Sequence, residues 1–236
     1  MEGPMKAIVS LSGGLDSTTV LAAAIESGAD VQAVIFRYGS KHNQFENQAA
    51  FDVAKHYRIP ARLFDLSPIM KGFNSVLMRA GGEIPEGHYE AESMRQTVVP
   101  GRNTIFASIL IGLAESEMAN EVWLGIHAGD HHIYPDCRPE WLTAMNEVAQ
   151  AATEGKVQFK APFLYETKLG ILRYGVQRKV PYHLTRTCYK AQPVACGRCG
   201  SCNERREAFM LLGIKDPIEY EYHGPLPEKE LPKGNQ

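Results

Sequence analysis

The chain has 236 residues, of which 44% are hydrophobic and 22% charged, and its formal net charge is −2. This composition is ordinary for a globular protein, and it lacks the basic excess of proteins that grip a nucleic-acid backbone. No apolar stretch reaches the roughly 20 residues that a membrane span needs, and residues 1–4 lack the apolar core of a signal peptide. We therefore expect a cytoplasmic protein with a small-molecule substrate, and neither nucleic acid nor membrane as a partner.

A short motif near the N-terminus, Ser12-Gly-Gly-Leu-Asp-Ser17, lies between the apolar residues 7–11 and the apolar segment 18–27. This order predicts a strand, a tight turn and a helix. Glycine lets the backbone approach a ligand closely, and the free N–H groups at a helix start attract an anion. We therefore predict a nucleotide-phosphate site formed by eight consecutive residues, namely Leu11, Ser12, Gly13, Gly14, Leu15, Asp16, Ser17 and Thr18.

Asp16 indicates what kind of phosphate site this is. A carboxylate beside a polyphosphate is favourable when a divalent cation lies between them, so we predict Mg²⁺ and ATP, with Asp16 as a catalytic residue. The hydroxyls of Ser12 and Ser17 would then contact phosphate oxygens. The alternative is an ordinary strand-to-helix turn in which Asp16 or Ser17 caps the helix. The complete motif resembles the pyrophosphate loop of the N-type ATP pyrophosphatases, which attack the α-phosphorus of ATP.

Predicted strands and helices alternate along the rest of the chain. Strands are predicted at 31–36, 62–66, 121–126 and 157–160, and helices at 43–57, 103–118, 139–153, from 167 onward and at 203–212. This alternation predicts an α/β fold, a Rossmann-like parallel sheet with helices on both faces. Residues 67–95 interrupt the pattern with glycine and proline, and we interpret them as a substrate lid.

Several candidate ligand contacts follow the predicted strands, where ligands bind in such folds. Phe36 ends the second strand, where we expect adenine. Arg102 lies beside the start of a predicted helix and Lys168 lies in the first turn of another, where a cation opposes the helix dipole unless it contacts an anion. We therefore predict both as catalytic residues, Arg102 as a contact to phosphate or carboxylate and Lys168 as a contact to phosphate. Gly101 and Asn103 are predicted as further nucleotide contacts. Asn103 is also well suited to be the N-cap of its helix.

The polar loop after the fourth strand supplies further candidates. Its neighbouring histidines, His131 and His132, point apart and are interpreted as packing or solvated side chains. Asp130 and Asp136 are predicted catalytic carboxylates, and Arg138 is a predicted nucleotide contact. Asp136 and Arg138 could instead pair with each other.

Four of the five cysteines are clustered. The spacing Cys188-x7-Cys196-x2-Cys199-x2-Cys202 is typical of a tetrahedral zinc site with four thiolates, which leaves no open position for catalysis. We therefore predict a structural Zn²⁺, although an iron–sulfur cluster also uses four cysteines. Cys137 lies outside the cluster and is predicted to be a packed thiol. The proline-containing residues 215–236 are predicted to form an extended tail.

Four motifs in a fixed order carry a more specific resemblance. They are the Ser12–Ser17 motif, Val99-Pro-Gly-Arg-Asn103, Tyr134-Pro-Asp-Cys-Arg138 and the cysteine cluster. Over about residues 6–212 the sequence resembles the 7-cyano-7-deazaguanine (preQ0) synthases of queuosine biosynthesis. The resemblance implies an adenine-nucleotide α-hydrolase-like domain at residues 1–180, a zinc-binding module at residues 181–236, and a homodimer.

The resemblance also implies the reaction: 7-carboxy-7-deazaguanine and ammonia are converted to the nitrile, through an adenylated carboxylate and an amide, while ATP yields AMP and pyrophosphate. The chain departs from many relatives at residues 131–133, where His-His-Ile replaces an aromatic-Ser-Gly run. Other N-type ATP pyrophosphatases, such as a tRNA thiolase or an amide ligase, remain alternatives, as does a deazapurine-activating enzyme with another acceptor. A non-catalytic nucleotide-binding module is the alternative outside enzymes.

Overall fold

The centre of the molecule is a parallel sheet of five strands, seen in a computed structural model that describes residues 4–228. The strand order is β3-β2-β1-β4-β5, and every pairing is parallel. The chain leaves β1 in one direction for β2 and returns to its other side for β4, so a crevice opens at the carboxyl ends of β1 and β4. The strands are β1 (Lys6–Ser10), β2 (Asp30–Arg37), β3 (Ala61–Asp65), β4 (Glu121–Trp123) and β5 (Gln158–Lys160).

Helices cover both faces of the sheet. Successive side chains of a strand point to opposite faces of its sheet. Ile8 of β1 therefore packs in the hydrophobic core on one face, and Ala7 and Val9 pack in the core on the other face. Buried residues of α4 and α5 pack on the first face, and those of α1, α2, α6 and α7 pack on the second. The helices are α1 (Leu15–Glu26), α2 (Asn43–Tyr57), α3 (Ser67–Met70), α4 (Arg102–Ser116), α5 (Pro139–Ala152), α6 (Lys168–Gln177) and α7 (Gly200–Leu212). Within residues 4–228, no helix is long and apolar enough to cross a membrane.

The predicted α/β fold is confirmed, while several element boundaries differ. Helix α1 begins at Leu15 rather than at residue 18, so Asp16 and Ser17 lie in its first turn. Helix α7 begins at Gly200, which places Cys202 inside the helix. Strand β4 ends at Trp123 instead of residue 126, in register with Lys160, the last residue of its neighbour β5.

The N-cap prediction for Asn103 is wrong. Gly101, with a φ of 63°, is the N-cap of α4, and Asn103 lies in the first turn. The carboxylate of Asp136 accepts a hydrogen bond from the backbone N–H of Asn103 at 3.0 Å, so an acidic side chain from a distant loop satisfies this helix start. Arg138 does not pair with Asp136, since its Nε donates to the carbonyl of His131 at 2.8 Å.

The segment between β3 and α4 packs on the core with little regular structure. It contains α3 and a 3₁₀ helix at Glu92–Thr97, and it buries Leu77, Met78 and Met94. The Lys41 ammonium donates to backbone carbonyls of this segment, that of Val76 at 2.9 Å among them. Its role as a substrate lid stays a prediction.

The predicted C-terminal tail is irregular but packed over residues 214–228. Arg205, fully buried, donates to both carboxylate oxygens of Asp216, at 2.8 and 2.9 Å. Tyr220 donates to the same carboxylate at 2.7 Å, and the backbone of Glu221 bonds to Ala195 beside the cysteine cluster. The predicted tail has no helix or strand over residues 215–228, but these contacts anchor it to the rest of the protein, and its remainder, 229–236, lies outside the described residues. The domain boundary after residue 180 stays a prediction.

Candidate active site

The loop between β1 and α1 requires glycine at one position for two reasons. Gly13 has a φ of 83°, in the left-handed region that favours glycine. A Cβ atom there would also lie 2.5 Å from the backbone nitrogen of Ala50 and 2.7 Å from the carbonyl oxygen of Glu46. The start of α2 therefore packs directly against the loop, and Gly13 faces this helix rather than a ligand.

The two serines of the motif organise the loop from within. Their hydroxyl oxygens lie 3.0 Å apart, and the backbone N–H of Ser12 donates to Ser17 Oγ at 3.2 Å. The backbone N–H of Gly14 donates to Ser12 Oγ at 3.2 Å. These bonds hold the loop in one shape beside the first turn of α1, and the N–H groups of a helix start can attract an anion.

The loop lies in a cleft of about 1250 Å³, its open mouth included. The cleft spans the carboxyl ends of β1, β2 and β4, as the sequence predicted for a ligand site. The predicted site residues that line it are Leu11, Ser12, Gly14, Leu15, Asp16, Ser17, Phe36, Arg102, Asn103, Asp130 and Lys168. Five predicted site residues are not among its lining residues, namely Gly13, Thr18, Gly101, Asp136 and Arg138.

A buried charge cluster adjoins the loop. The Lys168 ammonium, at the start of α6, lies 2.6 Å from Asp16 Oδ2 and 3.0 Å from Glu204 Oε2. Burial alone would raise the pKa of Asp16, but the charge of Lys168 and its hydrogen bond to the carboxylate outweigh burial and lower this pKa. Burial raises the pKa of Glu204 to about 7, against the opposing effect of Lys168. Three helices, α1, α6 and α7, thus meet at one ammonium group.

His127 joins this cluster to Asp130. Its ring is fully buried, and Nδ1 accepts the backbone N–H of Gly129 at 3.1 Å. The neutral ring therefore carries its proton on Nε2, which faces Asp16 Oδ2 at 3.7 Å and Asp130 Oδ2 at 3.5 Å. His127 holds an N–H between two carboxylates that would otherwise face each other.

Tyrosines form the wall beyond Asp130. Tyr89 donates to Asp130 Oδ1 at 2.7 Å. The hydroxyl of Tyr134 bonds with that of Thr97 at 2.7 Å and lies 3.3 Å from the hydroxyl of Tyr189. Burial raises the pKa of Tyr89 well above its usual value, so this phenol remains a neutral donor.

Aromatic rings line the cleft at the end of β2. Phe36 stacks on Phe106 with ring centroids 4.1 Å apart. Arg102 lies 5.7 Å over the ring of Tyr38, and its Nε donates to the side chain of Asn103 at 3.2 Å. Burial would lower the pKa of Arg102, but neighbouring Tyr38, Asp136 and other groups raise it, so the guanidinium stays charged in the cleft.

The four clustered cysteines meet the requirements of a metal site. All are buried, and their sulfur atoms lie within 4.8 Å of one another. Backbone N–H groups point at two of the sulfurs: that of Cys196 lies 3.3 Å from Cys188 Sγ, and that of Cys199 lies 3.3 Å from Cys196 Sγ. N–H groups directed at sulfur stabilise thiolates, so the set fits a tetrahedral cation such as Zn²⁺. Cys137 is buried outside the cluster, as predicted for a packed thiol.

The sequence of this chain matches a known protein family. The sequence profile described as "Queuosine biosynthesis protein QueC" matches residues 6–213. The chain belongs to the QueC family. The match covers the nucleotide loop, the cleft and all four clustered cysteines, and so confirms the resemblance drawn from the four motifs.

Relatives of the QueC family match almost end to end. The 7-cyano-7-deazaguanine synthase of Marinomonas sp. (strain MWYL1) is 45% identical over 216 residues, which cover 92% of this chain and 98% of the relative. That of Caldicellulosiruptor saccharolyticus is 43% identical over 217 residues, covering 92% and 96%. In fold, the chain is similar to an NMN synthetase from Francisella tularensis, with a TM-score of 0.51, 14% identity, and coverage of 90% of this chain and 79% of that one.

Several residues of the cleft and of the charge cluster beside it were not predicted from the sequence. His127 shares its loop with His131 and His132, and its residue type alone does not distinguish it from them. Glu204 has the position of an ordinary charged residue in the last helix. Tyr89 lay in the predicted lid. The only available signals were the position of His127 directly after a strand and that of Glu204 two residues after a cysteine ligand.

Proposed function

We propose that this protein is an ATP-dependent 7-cyano-7-deazaguanine synthase. It converts 7-carboxy-7-deazaguanine and ammonia to 7-cyano-7-deazaguanine, a carbon–nitrogen ligase reaction that releases AMP and pyrophosphate. Membership of the QueC family supports the product, and the relatives, which match across about 92% of the chain, carry this activity in their names. The observation that carries the proposal is that the Ser12–Ser17 loop lines a cleft in which Lys168 lies 2.6 Å from Asp16 of the loop.

The chemistry explains why ATP is needed. A carboxylate resists attack by ammonia because it is anionic and its oxygen leaves poorly. Transfer of AMP to the carboxylate oxygen cancels that charge and provides a good leaving group, so ammonia displaces AMP and forms an amide. A second adenylation, on the amide oxygen, allows this oxygen to leave as AMP and yields the nitrile. One site that stabilises charge at an α-phosphate therefore serves both steps.

We assign the residues of the cleft to these tasks. The loop N–H groups, with Ser12, Gly14 and Ser17, would bind the phosphates. Arg102 and Lys168 would stabilise negative charge that develops at the α-phosphate. Adenine would pack at the end of β2, beside Phe36.

Asp16 would hold Mg²⁺, and its side chain is suited to that task. Its Oδ2 pairs with Lys168, while its Oδ1 is buried and has no hydrogen-bond partner among the described residues. When bound there, Mg²⁺ supplies charge neutralisation for the phosphates. Carboxylate oxygen is the donor that this cation prefers.

The remaining predicted site residues take supporting roles in the proposal. Asp136 would position Asn103 and the start of α4, and Arg138 would fix the loop that carries the buried ring of His127. Asp130 adds a third carboxylate to the cleft. Gly13, Thr18 and Gly101 would set the backbone that presents the nucleotide contacts.

We further propose that the cysteine cluster holds a structural Zn²⁺ through Cys188, Cys196, Cys199 and Cys202. These thiolates would tie the loop that carries the first of them to α7. We also propose a cytoplasmic homodimer with a nucleotide-binding domain at residues 1–180 and a metal-binding module at residues 181–236.

Pyrophosphate release tests the proposal. The wild-type protein is expected to release pyrophosphate from ATP only when 7-carboxy-7-deazaguanine is present, and to form the nitrile only when ammonium is added. The Asp16→Ala variant should be folded and nearly inactive. Release of ADP in place of AMP, or turnover that does not depend on the deazapurine, would refute the function.

A further inference from the structure

The cleft has a second end that the nucleotide loop does not use. We name it the tyrosine end, and its members are Asp130, Tyr89, Tyr134 and Tyr189, all of which line the cleft. The Asp130 carboxylate lies 3.5 Å from His127 Nε2, which also faces Asp16 Oδ2 at 3.7 Å. A reaction that joins AMP to a second molecule requires a binding site for that molecule next to the phosphate site. The tyrosine end lies in the same cleft as the nucleotide loop and meets this requirement.

Asp130 keeps hydrogen-bonding capacity that no described neighbour uses. Its Oδ1 accepts the hydroxyl of Tyr89 at 2.7 Å, which fixes the orientation of the carboxylate. Its Oδ2 lies 3.5 Å from His127 Nε2, beyond a good hydrogen bond. The ion pairs of the nearby Lys168 ammonium go to Asp16 and Glu204 instead. A carboxylate accepts several hydrogen bonds, so Asp130 can receive further donors from the cleft.

Aromatic side chains surround the Asp130 carboxylate. Besides the ring of His127, its neighbours are phenols: Tyr89 donates to it, and Tyr134 lies beside Tyr89. The rings of Tyr89 and Tyr134 lie 6.2 Å apart between centroids, tilted by 39°.

These aromatic walls are held in place before a ligand arrives. The Tyr134 hydroxyl is anchored by Thr97 at 2.7 Å, and Tyr189 continues the chain of hydroxyls at 3.3 Å. Burial raises the pKa of Tyr134, so its hydroxyl remains neutral. A rigid, mostly apolar wall with one oriented carboxylate suits a flat heteroaromatic ring that carries N–H donors on one edge.

We propose that the tyrosine end binds the ring of 7-carboxy-7-deazaguanine and that Asp130 accepts hydrogen bonds from its ring N–H and exocyclic amino group. This inference rests on the proposed function. The guanine-type edge presents two adjacent donors, which match the two-oxygen geometry of a carboxylate. The Watson–Crick edge of adenine places a ring-nitrogen acceptor beside its amino group, and a carboxylate repels that acceptor. Asp130 thereby directs the adenine of ATP to the Phe36 end of the cleft and makes the second substrate specific.

Direct binding measurements by calorimetry test this assignment. The ligands are 7-carboxy-7-deazaguanine, the analogue that lacks only the exocyclic amino group, and a non-hydrolysable ATP analogue. Wild-type protein is expected to bind the first ligand about 100-fold more tightly than the second, because loss of a donor leaves a charged acceptor unpaired. Asp130→Asn should weaken binding of the first ligand about 100-fold and remove most of the discrimination. The variant should bind the ATP analogue with the affinity of the wild type. This unchanged affinity also shows that the variant is folded.

Tyr89→Phe is the matched control for positioning. It keeps the ring and loses only the hydroxyl that orients Asp130, so binding of the first ligand should weaken by about tenfold while discrimination persists. The assignment is overturned if Asp130→Asn binds 7-carboxy-7-deazaguanine like the wild type, or if the wild type does not discriminate between the two deazapurines. If the wild type binds neither deazapurine, the proposed function fails and the assignment fails with it.

Discussion

The nucleotide loop and the charge cluster beside it are built in opposite ways. The loop comprises six consecutive residues whose serines and backbone bond with one another. The cluster brings Asp16 together with Lys168, 152 positions later, and with Glu204 from the last helix. A contiguous motif can be recognised in the sequence, whereas a cluster of distant residues exists only after the sheet and helices have packed.

The two regions also differ in what maintains them. The loop depends on backbone space at Gly13, while the cluster depends on balanced charge around one buried ammonium. Substitutions in the loop should therefore act through backbone geometry, and substitutions in the cluster should act through electrostatics. Four predictions distinguish these cases.

The largest effect is expected at Asp16, which belongs to both regions. Asp16→Asn keeps the size of the side chain but removes the negative charge that would hold Mg²⁺ and pair with Lys168. We expect kcat to fall about 1000-fold, comparable to the loss of a main electrostatic contact in an active site. Steady-state kinetics across a Mg²⁺ titration measures it. A loss below tenfold would show that Asp16 has only a structural role in the first turn of α1.

Lys168 should come next. Lys168→Met leaves Asp16 and Glu204 without their common cation, so we expect kcat to fall about 100-fold and the free energy of unfolding to drop by about 3 kcal/mol. Lys168→Arg keeps the charge and is the matched control, with most of the stability retained. Denaturant unfolding of both variants separates the effects, and equal stability of all three proteins would contradict the role of the buried ion pairs.

The loop itself is tested by its two glycines. Gly13→Ala introduces a Cβ atom 2.5 Å from a backbone nitrogen and at a φ of 83°, so we expect a loss of about 2 kcal/mol in the free energy of unfolding. At Gly14 the φ is −76°, and the nearest atom is a side-chain oxygen at 3.3 Å. Gly14→Ala should therefore be nearly as stable as the wild type yet bind ATP more weakly. If Gly13→Ala were more stable than Gly14→Ala, α2 would not pack against the loop at Gly13.

The smallest effect is expected at Glu204, which would act through Lys168 rather than on a substrate. Glu204→Gln preserves the packing of α7 and removes one charge from the ammonium's surroundings. We expect kcat to fall about tenfold with the KM for ATP unchanged. The zinc content of the variant is the control, because Glu204 lies two positions after Cys202. An unchanged zinc content shows that the substitution has not disturbed the metal site. A raised KM with normal kcat would place Glu204 in direct contact with the nucleotide.

The same contrast explains how far the sequence could be interpreted. Helix α2 has its predicted bounds because alanine and valine recur at helical spacing, and the cysteine cluster was predicted because its ligand spacing is local. The role of Asp136 at the start of α4 was missed, because that contact joins residues 33 positions apart. His127 and Glu204 were missed for the same reason. Their chemistry depends on neighbours that the chain brings together only in the folded state.

The central claim is that this cleft activates a carboxylate by attack on the α-phosphorus of ATP, and oxygen isotope transfer tests it directly. The substrate would be 7-carboxy-7-deazaguanine with ¹⁸O in both carboxylate oxygens, and the AMP produced would be analysed by mass spectrometry. We predict one ¹⁸O atom in each AMP and two labelled AMP molecules for each nitrile, because both oxygens leave on AMP. Unlabelled AMP, or label found in pyrophosphate or inorganic phosphate, would contradict the account.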